Sequence, residues 1–234
     1  MATVDRPRVL VNFASSIDGK ITVAPLRRKR RFTMSRHEED HRRMRELRAS
    51  ADAILIGAGN LRVDDPDLAL SEAERGRRQV KGERQPFRIV VTRRGEGVTP
   101  DRKMFDPALG GPSVVVHSEE MPSPDRERLA KVATLVPLGD HAVDVPAMLQ
   151  WMFRELRVQT LLCEGGGVLC SELFAAKGVD ELYLTLVPRI LGGADAPTLV
   201  EGLGFFADEI PDATLGLLER VGDELYLRYD FRWS

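Results

Sequence analysis

The sequence predicts a layered α/β fold with a mixed, mostly parallel central sheet flanked by helices, and three observations carry that expectation. Short runs of Val, Ile and Leu recur along the 234 residues, with helical segments between them. These runs are nearly continuous in apolar character, as strands covered on both faces must be. Two later runs alternate polar and apolar residues, the period of antiparallel strands with one wetter face.

The series opens with Val9-Leu10-Val11-Asn12-Phe13-Ala14, which leads to a turn at Asp18-Gly19. Ser35 precedes a long polar segment, Arg36 to Arg48, whose apolar members Met44 and Leu47 share one helical face, so a mostly solvent-exposed helix is expected there. Further strands are expected at Ala53 to Ile56, Phe87 to Val91, Ser113 to Val116, Ala133 to Val136 and Thr160 to Cys163. The polar stretch Ser71 to Gln85 reads as a surface loop. Ser123-Pro124 opens a helix to about Lys131, with serine as its cap and proline at the first helical position. Two more helices are expected from Val145 to Leu156 and from Gly167 to Ala176. The alternating strands are Glu181 to Leu186 and Glu224 to Tyr229. No repeat and no convincing linker interrupts the chain, so one domain spanning residues 1–234 is expected.

A hydrophobic content of 43% is enough to bury a core, which excludes global disorder. The 34 Lys and Arg nearly cancel the 36 Asp and Glu, so no overall field points to nucleic acid or to an acidic membrane surface. No apolar run approaches the roughly 18 residues of a membrane-spanning helix, and the start, Met1-Ala2-Thr3-Val4-Asp5-Arg6, lacks a signal-peptide pattern. The cytoplasm is therefore the expected address. Cys163 and Cys170 have no zinc-ligand spacing, and His37, His41, His117 and His141 are scattered, so no metal site is expected.

Chemistry concentrates at three strand ends. Leu161-Leu162-Cys163 runs into Glu164, then Gly165-Gly166-Gly167, then Val168-Leu169-Cys170-Ser171 in helical register. A strand, a glycine turn and a helix N-terminus together suit an anion, because backbone without side chains lets phosphate approach N–H groups at the positive end of the helix dipole. The spacing is neither that of a Rossmann fingerprint nor that of a Walker loop. A tight turn without a ligand is the competing reading. Gly57-Ala58-Gly59-Asn60 to Asp64-Asp65-Pro66 is the second candidate, where Asn60 and Asp64 suit ribose hydroxyls or amides and an Asp-Pro turn is the competing reading. In the third, Thr92-Arg93-Arg94-Gly95 places two guanidinium groups where they would suit a phosphate such as the 2′-phosphate of NADPH. The run Arg27-Arg28-Lys29-Arg30-Arg31 reads equally as a solvated loop or a phosphate-binding flap.

With these positions fixed, the chain resembles the reductase family of riboflavin biosynthesis, which includes stand-alone archaeal enzymes and the C-terminal half of the bacterial bifunctional deaminase-reductase. The motifs that carry the resemblance are Ser15-Ser16-Ile17-Asp18-Gly19-Lys20, Arg45-Glu46-Leu47-Arg48-Ala49 leading into Asp52-Ala53-Ile54-Leu55-Ile56-Gly57, and Asp64-Asp65-Pro66 with Leu68. Arg88-Ile89-Val90-Val91, Glu164-Gly165-Gly166-Gly167 and Val187-Pro188-Arg189-Ile190-Leu191-Gly192-Gly193 with Ala196-Pro197 complete the set. Their order and spacing span nearly the whole chain.

The resemblance implies a fold similar to dihydrofolate reductase, a homodimer, and hydride transfer from NADPH to C1′ of a ribosylaminopyrimidine 5′-phosphate. It assigns Asn60, Asp64, Val91, Thr92, Arg93, Arg94, Gly165, Gly166, Gly167 and Val168 to NADPH. It assigns Asp18, Lys20, Arg48, Leu68 and Glu164 to the phosphorylated small-molecule substrate. No obligatory proton donor is identified, and water serves in that role. The chain departs from the family pattern with Asn60 where threonine is common, Arg93 where serine is usual, and Ser71 where bacterial members place a substrate arginine that archaeal members also lack. The diamino and deaminated forms of the substrate both remain open. The H-x-E and P-C-x-x-C signature of a zinc deaminase is absent, so no deaminase domain is expected. Two other readings compete: a dihydrofolate-reductase-like enzyme acting on a pteridine or specialised metabolite, and a non-catalytic NADPH-binding protein.

Overall fold

Strands that are apolar on both faces need cover on both sides, and the parallel strands of this chain obtain it. The computed structural model describes residues 5–24, 32–78 and 84–233, so the basic run Arg27 to Arg31 lies outside the described residues. In chain order the elements are β1 (Arg8–Ser16), α1 (Glu38–Ser50), β2 (Ala53–Gly57), α2 (Ala58–Asp64), α3 (Glu72–Gly76), β3 (Phe87–Thr92), β4 (Ser113–His117) and α4 (Ser123–Leu129). They continue with β5 (Thr134–Pro137), α5 (Val145–Arg154), β6 (Thr160–Cys163), α6 (Gly167–Ala175), β7 (Glu181–Val187), β8 (Ala213–Val221) and β9 (Glu224–Phe231). Two compact units result, one formed by Arg45–Cys163 with the stretch up to Arg8, the other by Val9–Met44 with the chain from Glu164 onward.

In the first unit the strand order is β5-β4-β3-β2-β6, and every pairing is parallel. Ile54, Ile56, Val90 and Val115 point to one face, where they are buried with Leu61 of α2, Leu129 of α4, Leu68, Met104 and Phe105. Each such side chain contributes roughly 1.5–3 kcal/mol by leaving water. Leu55, Ile89, Val114 and Val116 alternate with these and are buried too. α5 buries Val145, Met148, Leu149 and Met152, the i, i+3, i+4, i+7 stripe of an amphipathic helix. Its cap is Asp144, whose side chain accepts the N–H of Ala147 at 2.9 Å.

Arg88 is a buried cation in the middle of this sheet. It is 2% exposed within β3 and donates to the carbonyls of Met104 (2.8 Å), Gly110 and Gly111 (3.2 Å) and to Ser113 Oγ (3.2 Å). A buried cation needs such partners, and these bind the loop between β3 and β4 to the sheet.

In the second unit the order is β1-β7-β9-β8, with β1 and β7 parallel and the last two pairings antiparallel. Phe174 of α6, Phe231 of β9 and Trp233 form an aromatic cluster with ring centroids 5.0, 6.4 and 5.8 Å apart. The Trp233 indole N–H donates to Val179 O at 2.6 Å. These contacts fix α6, and with it the glycine turn that precedes it.

Four local expectations are corrected. Ser71 to Gln85 is not loop throughout: Ser71 caps α3 by accepting the Glu74 N–H at 3.3 Å, while Glu74 Oε2 accepts the Ser71 N–H at 2.7 Å. The Gly57 to Asp64 segment is helix rather than open turn, ending at Asp65 in the left-handed region with φ 45°. Proline at 124 stands as expected near the start of α4, but Ser123 is already helical and Pro122 is the capping position. β8 was not expected, because Leu217-Leu218 breaks the alternation and a bulge lies between Leu215 and Leu217. Ser35 lies outside α1, where its buried hydroxyl donates to the Glu224 carboxylate at 2.8 Å. As expected, none of the residues of α1 is fully buried. Among the described residues no helix is long and apolar enough to cross a membrane.

Candidate cofactor and substrate site

Because β2, β3, β4 and β5 are parallel, their carboxyl ends share one edge of the first unit, the edge at which open α/β sheets hold ligands. The residues assigned to NADPH in this unit lie there. α2 begins directly after Gly57 and carries Asn60 and Asp64, both partly exposed. Its buried Leu61 fixes which face of the helix turns inward. Leu68 follows with φ 57° and is fully buried in the hydrophobic core, so the structure gives it no exposed surface at which to meet the substrate that the resemblance assigns to it.

β3 ends at Thr92, whose hydroxyl accepts the N–H of Gly95 at 2.9 Å and closes a tight turn. Val91 and Thr92 are buried, while Arg93 and Arg94 project from the turn with about half of each side chain exposed. Parallel register places Thr92 opposite His117 at the end of β4. The next residues are therefore neighbours: Ser118 Oγ donates to Arg93 O at 2.9 Å. Glu120 then accepts from both arginines, at 2.7 Å from Arg93 Nη2 and 2.8 Å from Arg94 Nη2. His141, beyond β5, holds the other carboxylate oxygen at 2.9 Å. These hydrogen bonds, His141 first, hold the Glu120 carboxyl at about 2, well below the ordinary glutamate range. Sequence reasoning missed Glu120 and His141, since only strand register brings Glu120 to the arginines and His141 to Glu120. The available signal was the acidic pair Glu119-Glu120 just past an apolar strand.

Arg48 lies in the last turn of α1 with 13% of its side chain exposed, 4.0 Å from the Asp67 carboxylate. Arg78, itself buried, donates to the carbonyl of Ala51 at 2.8 Å where the chain leaves that helix. Arg78 thereby ties the end of α1 to the chain that follows it.

The second unit supplies the remaining candidates. Gly165 and Gly166 have φ of 118° and 106°, a region closed to residues with side chains, and a Cβ at Gly166 would meet no atom within 4 Å. Gly167 is required for a different reason: a Cβ there would come within 2.6 Å of Thr198 O. The Cys170 N–H closes onto Gly166 O at 3.0 Å, so the backbone N–H groups of Gly167 and Val168 precede the first intrahelical bond of α6. Val168 is exposed, Glu164 partly so.

Asp18 and Lys20 flank the turn after β1 and staple it to the segment after β7. Asp18 accepts the N–H groups of Leu191 (3.1 Å) and Gly192 (2.7 Å) and the Ser16 hydroxyl (2.6 Å). The Lys20 ammonium donates to Ala196 O at 3.1 Å. The Ser16 hydroxyl first, then the two amides, hold the Asp18 carboxyl at about 2. Both side chains, which the resemblance assigns to substrate, are thus engaged in shaping the turn.

Comparison with known proteins places this geometry in a family. Residues 7–226 match the family model described as the RibD C-terminal domain. The 2,5-diamino-6-ribosylamino-4(3H)-pyrimidinone 5′-phosphate reductase of Archaeoglobus fulgidus is 36% identical over 220 residues, covering 93% of this chain and 95% of that one. The reductase of the same name from Methanothermobacter thermautotrophicus is 33% identical, covering 96% and 98%. Among solved structures, Acinetobacter baumannii RibD has the same fold with a TM-score of 0.78 at 19% identity. The alignment covers 98% of this chain, which spans 59% of that longer protein. The riboflavin biosynthesis reductase of Saccharomyces cerevisiae gives a TM-score of 0.70 at 18% identity, covering 99% and 93%. From just before β1 into β9, therefore, the chain belongs to the RibD C-terminal domain family, the reductases of riboflavin biosynthesis.

Proposed function

We propose that this chain is an NADPH-dependent reductase that converts the ribosyl group of a ribosylaminopyrimidine 5′-phosphate to ribityl. The observation that carries this reading is the near full-length similarity to pyrimidinone phosphate reductases. The arginine pair at the end of β3 supports the choice of NADPH, because two guanidinium groups that already hold a single carboxylate oxygen are suited to a 2′-phosphate. Gly166 supports it too, since its positive φ comes with open space beside the backbone.

Bound NADPH would supply the hydride for C1′ of the ring-opened imine, and the proton for the imine nitrogen would come from water. The residues of this chain bind and orient. Arg93 and Arg94 would hold the 2′-phosphate, Asn60 and Asp64 would hydrogen-bond polar groups of the cofactor, and the Gly165–Val168 backbone would take its phosphates. Arg48 pairs with the substrate 5′-phosphate, and Glu164 aligns the reacting end, so positioning supplies most of the rate. Homodimer formation and a cytoplasmic location belong to the same proposal; Leu215 and Leu218 on β8 are exposed apolar surface that suits a second copy.

Purified protein mixed with NADPH and the diamino or the deaminated ribosylaminopyrimidine phosphate should lose absorbance at the reduced-nicotinamide band. Absence of turnover with both substrates refutes the proposal, and sedimentation as a monomer refutes its dimer.

A further inference from the structure

Glu120 stands three residues beyond His117, the last residue of β4, and its Oε2 receives Nε and Nη2 of Arg93 together with Nε and Nη2 of Arg94, all within 2.7–2.8 Å. Four N–H donors thus converge on one oxygen that has two lone pairs. A carboxylate undersupplies this donor set. A phosphomonoester offers three terminal oxygens and up to two charges, and would spread the same donors over separate acceptors. Oε1 is meanwhile held by His141 Nδ1 at 2.9 Å, so the carboxylate has a second anchor on the side away from the arginines' shared oxygen.

We propose that Glu120 is a tethered competitor for the cofactor's 2′-phosphate, a specificity-determining residue that keeps Arg93 and Arg94 aligned and neutralised until a dianionic phosphomonoester displaces it. This rests on reading the two arginines as the 2′-phosphate site. The consequence is selectivity among anions. A singly charged or diffuse anion gains too little from the arginines to displace a carboxylate that is covalently attached and always at hand. A 2′-phosphate, fixed in place by the rest of a bound cofactor, carries the same advantage of local concentration and twice the charge. NADH brings nothing to this position and leaves Glu120 where it is.

The test compares wild type with Glu120→Gln, which removes the charge while keeping the size of the side chain. Dissociation constants are measured by titration for NADPH, NADH and inorganic phosphate. Loss of the competitor should tighten NADPH and inorganic phosphate by roughly three- to tenfold, the scale of a partly exposed ion pair, and leave NADH unchanged. An unchanged or weaker affinity for NADPH in Glu120→Gln overturns the proposal. The parent reading has its own arm: Arg93→Ala with Arg94→Ala should abolish the preference of the enzyme for NADPH over NADH. A wild type that shows no such preference, or a double variant that retains it, removes the arginines from the 2′-phosphate site altogether. A double variant that loses the preference beside a Glu120→Gln that binds NADPH no tighter overturns only the role of Glu120.

Discussion

The Asp18 carboxylate accepts the backbone N–H of Gly192 at 2.7 Å, closing the β1 turn against a segment more than 170 residues further along the chain. Its folded pKa of about 2 is below the ordinary aspartate range, so its stabilising contribution is present above that range and is lost as pH falls toward 2. Asp18→Ala should therefore lower the thermal midpoint at pH 7. The difference from wild type should shrink steadily as unfolding is followed from pH 5 to pH 3, and a constant offset would contradict the linkage.

Gly166 and Gly167 should fail on substitution for separate reasons. Gly167→Ala drives a methyl group against Thr198 O at 2.6 Å and the Glu201 side chain at 2.5 Å, an overpacking cost of about 1–3 kcal/mol. Gly166→Ala meets no neighbour but must hold φ near 106°, at a strain of roughly 1–3 kcal/mol. Glu201→Ala removes the side chain that crowds Gly167, so denaturant titration should show it partly rescuing Gly167→Ala and not Gly166→Ala.

Arg48 and Glu164 separate binding from alignment in the proposed reaction. Arg48→Ala should raise KM for the phosphorylated substrate about ten- to a hundredfold with little change in NADPH affinity, the loss of one charge-assisted contact. Arg48→Lys should recover part of that loss, since the charge returns without the planar fork. A pteridine without a phosphate should not need Arg48. Glu164→Ala should cut turnover more than NADPH affinity, and equal loss in both contradicts its role.

Asp40, in the first turn of α1, is displaced in the other direction. Burial raises its pKa above the ordinary range, opposed by a hydrogen bond with Thr185 and by the charge of His41, and reinforced by Glu224. Its protonated form is favoured in the folded state, so its contribution is complete below the unfolded pKa and is lost as pH rises through the folded one. Asp40→Asn has no proton to lose. Its thermal midpoint should match wild type near pH 4 and exceed it at pH 8.

β1 to β6 were legible because their runs are nearly continuous in apolar residues, and β7 and β9 because theirs alternate; all eight fall within two residues of where the sequence places them. The Asp18-Gly19 turn and the glycine turn before α6 also lie where the sequence places them. β8 was hidden by its bulge, and α2 by its two glycines, which signal a turn locally while Leu61 gains more by burial as part of a helix. α3 was hidden by polarity: its reciprocal cap from Ser71 and Glu74 is visible in the sequence only when the segment is tested for helix rather than dismissed as loop.

The sequence by itself determined the α/β class, the glycine turn, the arginine pair and the family, because these rest on local periodicity, on residue chemistry and on the order of motifs. Only the tertiary structure decided what those residues face. Parallel register of β3 with β4 and of β4 with β5 set Glu120 against Arg93 and Arg94 and His141 against Glu120, and the return of the chain after β7 occupied the Asp18 carboxylate with backbone amides. Such pairings join residues far apart in the chain, and their specificity comes from strand alignment and burial, neither of which leaves a signal at the residues themselves.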